Sequence, residues 1–337
     1  MKKFKSAAVI FIIITVMLPL LSCSGSRACY ESTWFDLFDT VCTVRAYAAN
    51  RECFDRSAEK ILELLEKCDR LFDIYNGYDG INNLKTVNEN AGISSVAVDA
   101  EIIDLLEFSK EMYELTDGRM NIMIGALTSV WHKYREEDAG KLPSESELEV
   151  ASGHIDISSL VVDREKSTAY ISDPYASLDV GAVAKGYAAR LILETLPQTE
   201  LESAVVNLGG NIVTYGAKPD GSLWRVAVEK ADSGEYIDTY ELADMSVVTS
   251  GDYQRYYMVD GEKYHHIIDP QTLYPAAAHT QVSVICADPA LADAMSTALF
   301  IADNETALRF AEELRMFVII FDAPDIITCV GKIPSES

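Results

Sequence analysis

The chain has 337 residues, of which 49% are hydrophobic, and a formal net charge of -25. This is enough apolar material for a substantial core, in one large domain or two at the usual ~150 residues per domain. The acidic balance argues against nucleic acid as a partner, since phosphate backbones are met by a basic face.

The first 22 residues set a basic "MKKFK" against an apolar "AAVIFIIITVMLPLL", the pattern of an export signal. The run is short for a spanning helix, which needs about 20 residues. It ends in "LLSC", which resembles the lipobox at which bacterial processing leaves a lipidated cysteine. Residues 1–22 are therefore expected to be a lipoprotein signal peptide and Cys23 the lipidation site, with an ordinary signal peptide as the alternative. The small, polar residues 23–33 read as a tether, holding the globular part at the extracytoplasmic face of the cell membrane. Six further cysteines, Cys29, Cys42, Cys53, Cys68, Cys286 and Cys329, form no CxxC pair, so a zinc cluster is not supported.

"TVCTVRAYA" alternates like a strand. Residues 54–75 place Ile61, Leu64, Leu65, Cys68, Leu71 and Phe72 on one stripe of an amphipathic helix, which "NGYDGINN" stops. A second helix is expected over 99–115, broken by "TDG", and the polar 135–148 reads as a surface excursion. From 155 onward short apolar segments alternate with turns, and helical patterns recur near 183–196, 288–301 and 303–314. This mixture predicts an α+β fold with mixed sheets and packed helices.

Several stretches carry chemistry. "SLDVGAVAKGYAARLILETL" (177–196) joins an extended segment to a helix through Gly181, with Lys185 in the first turns. Free N–H groups at a helix start favour anions, and a lysine beside them adds a phosphate-reaching charge. Without the rest of a P-loop, the same pattern also describes an ordinary strand-to-helix turn. In "AVVNLGGNIVTYG" (204–216) the paired Gly209 and Gly210 suit either a close backbone approach or a turn.

Within "ADPALADAMSTALFIA" (287–302), Asp293 and Thr297 share one helix face. A carboxylate beside a hydroxyl suits a hard cation such as Mg2+, which takes oxygen ligands and keeps waters and substrate phosphates. A solvated aspartate and a threonine bonded to its own helix would show the same spacing. Residues 116–132 would serve either as the wall of an apolar pocket for an aromatic ligand or as core. In "EKYHHIID", strand alternation sends His265 and His266 to opposite faces, which disfavours a two-histidine metal site.

In this order, "FDTVCTV", "TDGRMNIMIGAL", "LDVGAVAKGYA", "VVNLGGNI", "TSGDYQRYYMVDGEKYHHIIDPQTLYP" and "DAMSTALF" resemble the ApbE family, the FAD:protein FMN transferases, many of which are exported lipoproteins. The resemblance implies a single ApbE-like (T-fold-like) domain over 34–332 with a cleft for FAD and Mg2+. It implies transfer of FMN from FAD to a threonine or serine hydroxyl of a target protein, with AMP released. An FAD pyrophosphatase giving FMN and AMP, and a non-catalytic FAD-binding lipoprotein, are the alternatives. Targets in the family include subunits of flavin redox complexes and small exported FMN-carrying domains.

Carried over by position, the resemblance implies metal ligation by Asp293, Thr297 and an Ala182 oxygen, with Ser296 standing where some relatives have a further acid. FAD contacts would come from Phe38, Tyr75, Arg119, Met120, Asn121, Asp179, Lys185 and Ile267. Lys185 would offset phosphate charge, and His266 or Asp269 would take the acceptor's proton. Two segments depart from the family: "TDGRMNI" stands for "TDGAFDP", and Phe38-Asp39-Thr40 for "MGT".

Overall fold

The computed structural model describes residues 27–137, 140–231, 233–253, 255–322 and 326–333; the signal sequence and Cys23 lie outside them. The chain opens with the hairpin β1 (Ala28–Leu37) and β2 (Thr40–Ala48), then α1 (Arg51–Phe72), α2 (Leu84–Glu89), β3 (Val96–Ala97) and α3 (Ala100–Leu115). Next come α4 (Gly125–Glu136), α5 (Glu145–Ser152), β4 (Leu160–Asp163), β5 (Thr168–Ile171) and α6 (Ala184–Thr195). The hairpins β6 (Leu201–Leu208) with β7 (Asn211–Tyr215) and β8 (Trp224–Glu229) with β9 (Tyr236–Leu242) lead to β10 (Ser246–Gly251). The hairpin β11 (Tyr256–Val259) with β12 (Glu262–His265) precedes β13 (Gln281–Cys286), α7 (Pro289–Ile301), α8 (Asn304–Glu313), β14 (Phe317–Asp322) and β15 (Ile326–Val330).

Eight strands form the main sheet in the order β1-β2-β6-β7-β10-β13-β14-β15, every neighbouring pair antiparallel. Period-2 alternation sends Val248, Val284 and Val318 to a core shared with α7 and α8, and Val247, Ile285 and Ile319 to the β8–β9 hairpin on the opposite face. β13 is therefore buried along its whole length. With helices segregated on one face of an antiparallel sheet, the α+β expectation holds.

Asn50 starts α1 by accepting the Cys53 N–H at 2.9 Å. The helix then buries Phe54, Ala58, Ile61, Leu65, Cys68, Leu71 and Phe72. Each buried Ile, Leu or Phe there contributes about 1.5–3 kcal/mol. α6 and α7 pack closely: a Cβ at Gly186 would stand 2.3 Å from the Asp293 Cβ and 2.5 Å from the Pro289 carbonyl oxygen. Only glycine lets these two helices lie this close.

Three local expectations are corrected. The tether read over 23–33 is in part strand, because Ala28 to Thr33 pair with Thr43 to Ala48 along β1 and β2. Its polar look reflects an edge strand whose outer face meets water. The excursion read over 135–148 is bounded by helix, since α4 runs on to Glu136 and α5 begins at Glu145. Ser144 caps α5 in a reciprocal box with Glu147, and Leu148 is buried. The strand read through "EKYHHIID" ends at His265, and Ile268 bridges to Pro275.

Candidate active site

α6 begins where residues 179–183 turn out of an extended segment. Asp179 holds that turn, with Oδ1 accepting the Gly181 N–H at 3.0 Å and Oδ2 accepting the Thr128 hydroxyl at 2.8 Å. One turn on, the Gly186 N–H, which would otherwise close on the Ala182 carbonyl, donates instead to Asp293 Oδ2 at 2.7 Å. The Ala182 oxygen is thereby left open to another partner at a helix start.

Asp293 is 5% exposed. Burial pushes its carboxyl above the usual carboxylate range, against the pull of the Lys185 ammonium, the Gly186 N–H and the Asn211 amide. On the same face of α7, Thr297 Oγ1 lies 3.3 Å from Ser250 Oγ. Ser296 is tied up: its hydroxyl donates to the Asp293 carbonyl at 2.9 Å and meets Ser250 Oγ at 2.8 Å. The site thus offers one carboxylate, one hydroxyl and one open carbonyl. Among the described residues no three His, Cys, Asp or Glu side chains converge as a metal cage. A small oxygen set of this kind suits a cation that completes its shell with water and phosphate oxygens.

The β11–β12 hairpin brings in the histidines. His265 faces inward, its Nε2 2.7 Å from the Ala276 carbonyl and its ring edge-on to Phe300. His266 follows the end of β12, its backbone N–H donating to the Arg255 carbonyl at 3.0 Å. Burial, then His265, Arg255 and Arg135, push the His266 imidazole down to about 4, so it is neutral at physiological pH. Its Nδ1 is buried without a hydrogen-bond partner. Asp269, the other proposed base, has Oδ1 engaged by the Gln271 N–H at 2.8 Å in the following turn.

Tyr75 is held by the turn after α1, where Asp73 accepts the Tyr75 and Asn76 N–H groups at 2.6 and 2.9 Å. Although 61% of Tyr75 is open to solvent, desolvation of its phenol and then the Asp179 charge push it above its ordinary value, and Arg255 and Arg135 draw it partly back. Phe38 is half-buried in the β1–β2 turn, a left-handed conformation (φ 52°) fixed by its N–H donating to Asp69 Oδ1 at 2.8 Å.

Asp179, Lys185, Ala182, Asp293 and Thr297 are thus gathered around the α6–α7 contact, and the Arg135 and Arg255 charges lower the pKa of both Tyr75 and His266. The segment 119–121 is placed differently. Met120 is 1% exposed in the main core, and Asn121 braces the backbone by donating to the Ile155 carbonyl at 2.9 Å and accepting the Met123 N–H at 2.8 Å. Arg119 donates to the Thr116 carbonyl at 3.3 Å and lies 3.7 Å from Asp117. Ile267 is buried in the core beneath α7. Sequence reasoning passed over Asn211, whose buried amide sits beside the Asp293 carboxyl, and also Gly186, Arg135 and Arg255. Asn211, Gly186 and Arg255 stand within stretches quoted for the family resemblance; Arg135 gave no signal.

A helix start with an open carbonyl, a buried aspartate and a lysine is the set of polar groups that this α+β protein gathers at one place. The chain belongs to the ApbE family, whose model matches residues 38–320. The FAD:protein FMN transferase of Treponema pallidum (strain Nichols) is 30% identical over 335 residues, 93% of this chain and 90% of the relative. That of Klebsiella pneumoniae (strain 342) is 29% identical over 267 residues, 76% and 80% of the two chains. Among solved structures, the ApbE protein of Thermotoga maritima superposes with a TM-score of 0.78 at 28% identity, covering 90% of this chain and 97% of that one. The apo flavinyl transferase ApbE of Pseudomonas stutzeri gives 0.76 at 24% identity over 90% and 95%, a likeness of fold.

Proposed function

We propose that this chain transfers the FMN moiety of FAD to a threonine or serine hydroxyl of a target protein and releases AMP, with Mg2+ as its metal. The observation that carries this reading is the clasp of Asp293 to the start of α6, which brings a buried carboxylate to the turn that carries the Ala182 carbonyl and within reach of the Lys185 charge, with Thr297 one turn further along α7, in a chain of this family. Bound by Asp293, Thr297 and the Ala182 carbonyl, Mg2+ would neutralise charge on the pyrophosphate.

The protein's own groups supply the rest. Lys185 offsets phosphate charge beside the N–H groups of α6. Tyr75, Phe38 and Asp179 line the mouth that receives the dinucleotide. The acceptor oxygen attacks the FMN phosphorus, the bond from that phosphorus to the bridging oxygen breaks, and the oxygen leaves with AMP. His266 is the favoured proton acceptor over Asp269, because its neutral ring has a buried, unpartnered Nδ1 while Asp269 already caps a turn.

The accepting proteins are taken to be exported or membrane flavin carriers. Placement at the extracytoplasmic face through lipid on Cys23 rests on residues 1–23, since among the described residues no helix is long and apolar enough to cross a membrane. Incubation with FAD and Mg2+, with and without a threonine-bearing peptide, tests the activity. An FMN-peptide supports transfer, free FMN plus AMP supports a pyrophosphatase instead, and unchanged FAD contradicts both.

A further inference from the structure

Between β12 and β13 the chain folds back on itself, and its two arms are joined along only part of their length. The Ala276 N–H donates to the Ile267 carbonyl at 2.9 Å, and the Asp269 N–H to the Tyr274 carbonyl at 2.9 Å. The next rung would join His265 to Ala278, and among the described residues no backbone bond does so. The His265 ring stands between the arms instead, with Nε2 2.7 Å from the Ala276 carbonyl and Nδ1 accepting the Ile267 N–H at 3.2 Å. Beyond it a slot of about 500 Å³ opens between β12 and residues 277–280, lined also by Asp252 and Asp322. Because the His266 N–H is bonded to Arg255 on the β11 side, alternation turns the peptide groups of His265 to the opposite edge, where Ile267 meets Ala276. Such an edge is a template for another strand. Ala277 and Ala278 are exposed and carry only methyl groups, which leaves room for a backbone beside them. His279, 6% exposed, lines the same slot with Nδ1 2.9 Å from Asp322 Oδ1. Its Nε2 is buried with no hydrogen-bond partner, which a polar group entering the slot would supply.

We propose that this slot takes an extended segment of the acceptor polypeptide, which adds as a strand along the His265 edge of β12 and so brings its hydroxyl residue to His266. The slot rests on the transferase reading and holds that reaction's second substrate. β12 ends at His265, so the favoured proton acceptor is the next residue along, about 3.8 Å away between Cα atoms. In strand addition main-chain hydrogen bonds supply affinity, and alternate side chains supply specificity. Charge plays the smaller part here, because Asp252 is engaged by Lys263 at 3.2 Å and Asp322 by His279.

Transfer kinetics of the full chain with FAD, Mg2+ and a threonine-bearing peptide test this, the peptide being used unmodified and N-methylated at one residue at a time. Methylation removes one donor, so the peptide's KM should rise about two- to tenfold at alternate residues, the worth of one hydrogen bond, with kcat little changed. Ala278→Leu, which fills the slot, should raise the peptide's KM about tenfold. Its FAD affinity, measured by calorimetry, should stay within about twofold of wild type. Should a melting curve show Ala278→Leu unfolded, the methylated series on wild type decides alone. A peptide KM indifferent to methylation at every residue, or unmoved by folded Ala278→Leu, overturns the slot. So does a loss of FAD affinity in that variant, which would give the slot to the donor. A wild type that forms no FMN-peptide from the unmodified peptide overturns the transferase reading itself.

Discussion

Gly186→Ala probes the α6–α7 clasp with a single methyl group. The new Cβ would sit 2.3 Å from the Asp293 Cβ and 2.5 Å from the Pro289 carbonyl oxygen, where ordinary contact begins near 3.4 Å. The helices would have to part by about 1 Å, an overpacking that costs about 1–3 kcal/mol. Alanine recovers up to about 1 kcal/mol of helix propensity over glycine. The net loss, about 0–2 kcal/mol, amounts to a few degrees of melting temperature at most. The functional loss should be larger, because parting the helices stretches the Gly186 to Asp293 bond and moves the carboxylate away from Ala182 and Lys185. A displacement of about 1 Å at reacting groups costs about a hundredfold in rate. The assay is FMN transfer to a threonine peptide beside a melting curve. Transfer within twofold of wild type would refute the claim that this close approach builds the site.

Asp293→Asn should abolish transfer while leaving the metal-free protein at least as stable at pH 7. Burial raises the folded carboxyl, so the folded state keeps its proton to higher pH than the unfolded chain and loses stability as pH rises through the raised value. Asparagine removes that penalty; a marked drop in melting temperature under EDTA would contradict this. His266 is depressed to about 4 from 6.5, so below 6.5 the unfolded chain binds a proton that the folded one refuses. Wild type should therefore lose about 3 kcal/mol from this group between pH 6.5 and 4. Denaturant melts at pH 7 and 4.5 should show His266→Gln losing less than wild type, and equal losses would count against a buried neutral His266. Asp69→Ala removes the acceptor of the Phe38 N–H and should raise KM for FAD several-fold with a smaller change in kcat; an unchanged KM would separate Phe38 from the donor site.

The helices were legible where one apolar stripe repeats at 3.6 residues, as in α1, α3, α6, α7 and α8. α4 was not, because it begins at Gly125 without a side-chain cap and is pinned by a distant contact, the Gly125 N–H donating to the Ser177 carbonyl at 3.1 Å. β1 was missed because an edge strand exposed along one face has the composition of a linker. In the site, the shared face of Asp293 and Thr297 follows from helical spacing. The open Ala182 carbonyl does not, since it depends on a bond between residues 107 positions apart. β12 ends at His265, so strand alternation does not reach His266, and the surroundings of both were invisible: Ala276 and Phe300 for the one, the Arg255 and Arg135 charges for the other. Arg119 is engaged within its own turn, by Asp117 and the Thr116 carbonyl, which a motif comparison does not reveal.

The central claim is that one FMN is moved to a protein hydroxyl for each AMP released. Intact mass of a threonine-bearing acceptor domain, followed with AMP quantification over a time course in FAD and Mg2+, measures this directly. The account predicts acceptor modification and AMP rising together in equal amounts, both absent with EDTA or in Asp293→Asn. AMP formed without modified acceptor, or modification unaffected by Asp293→Asn, would contradict it.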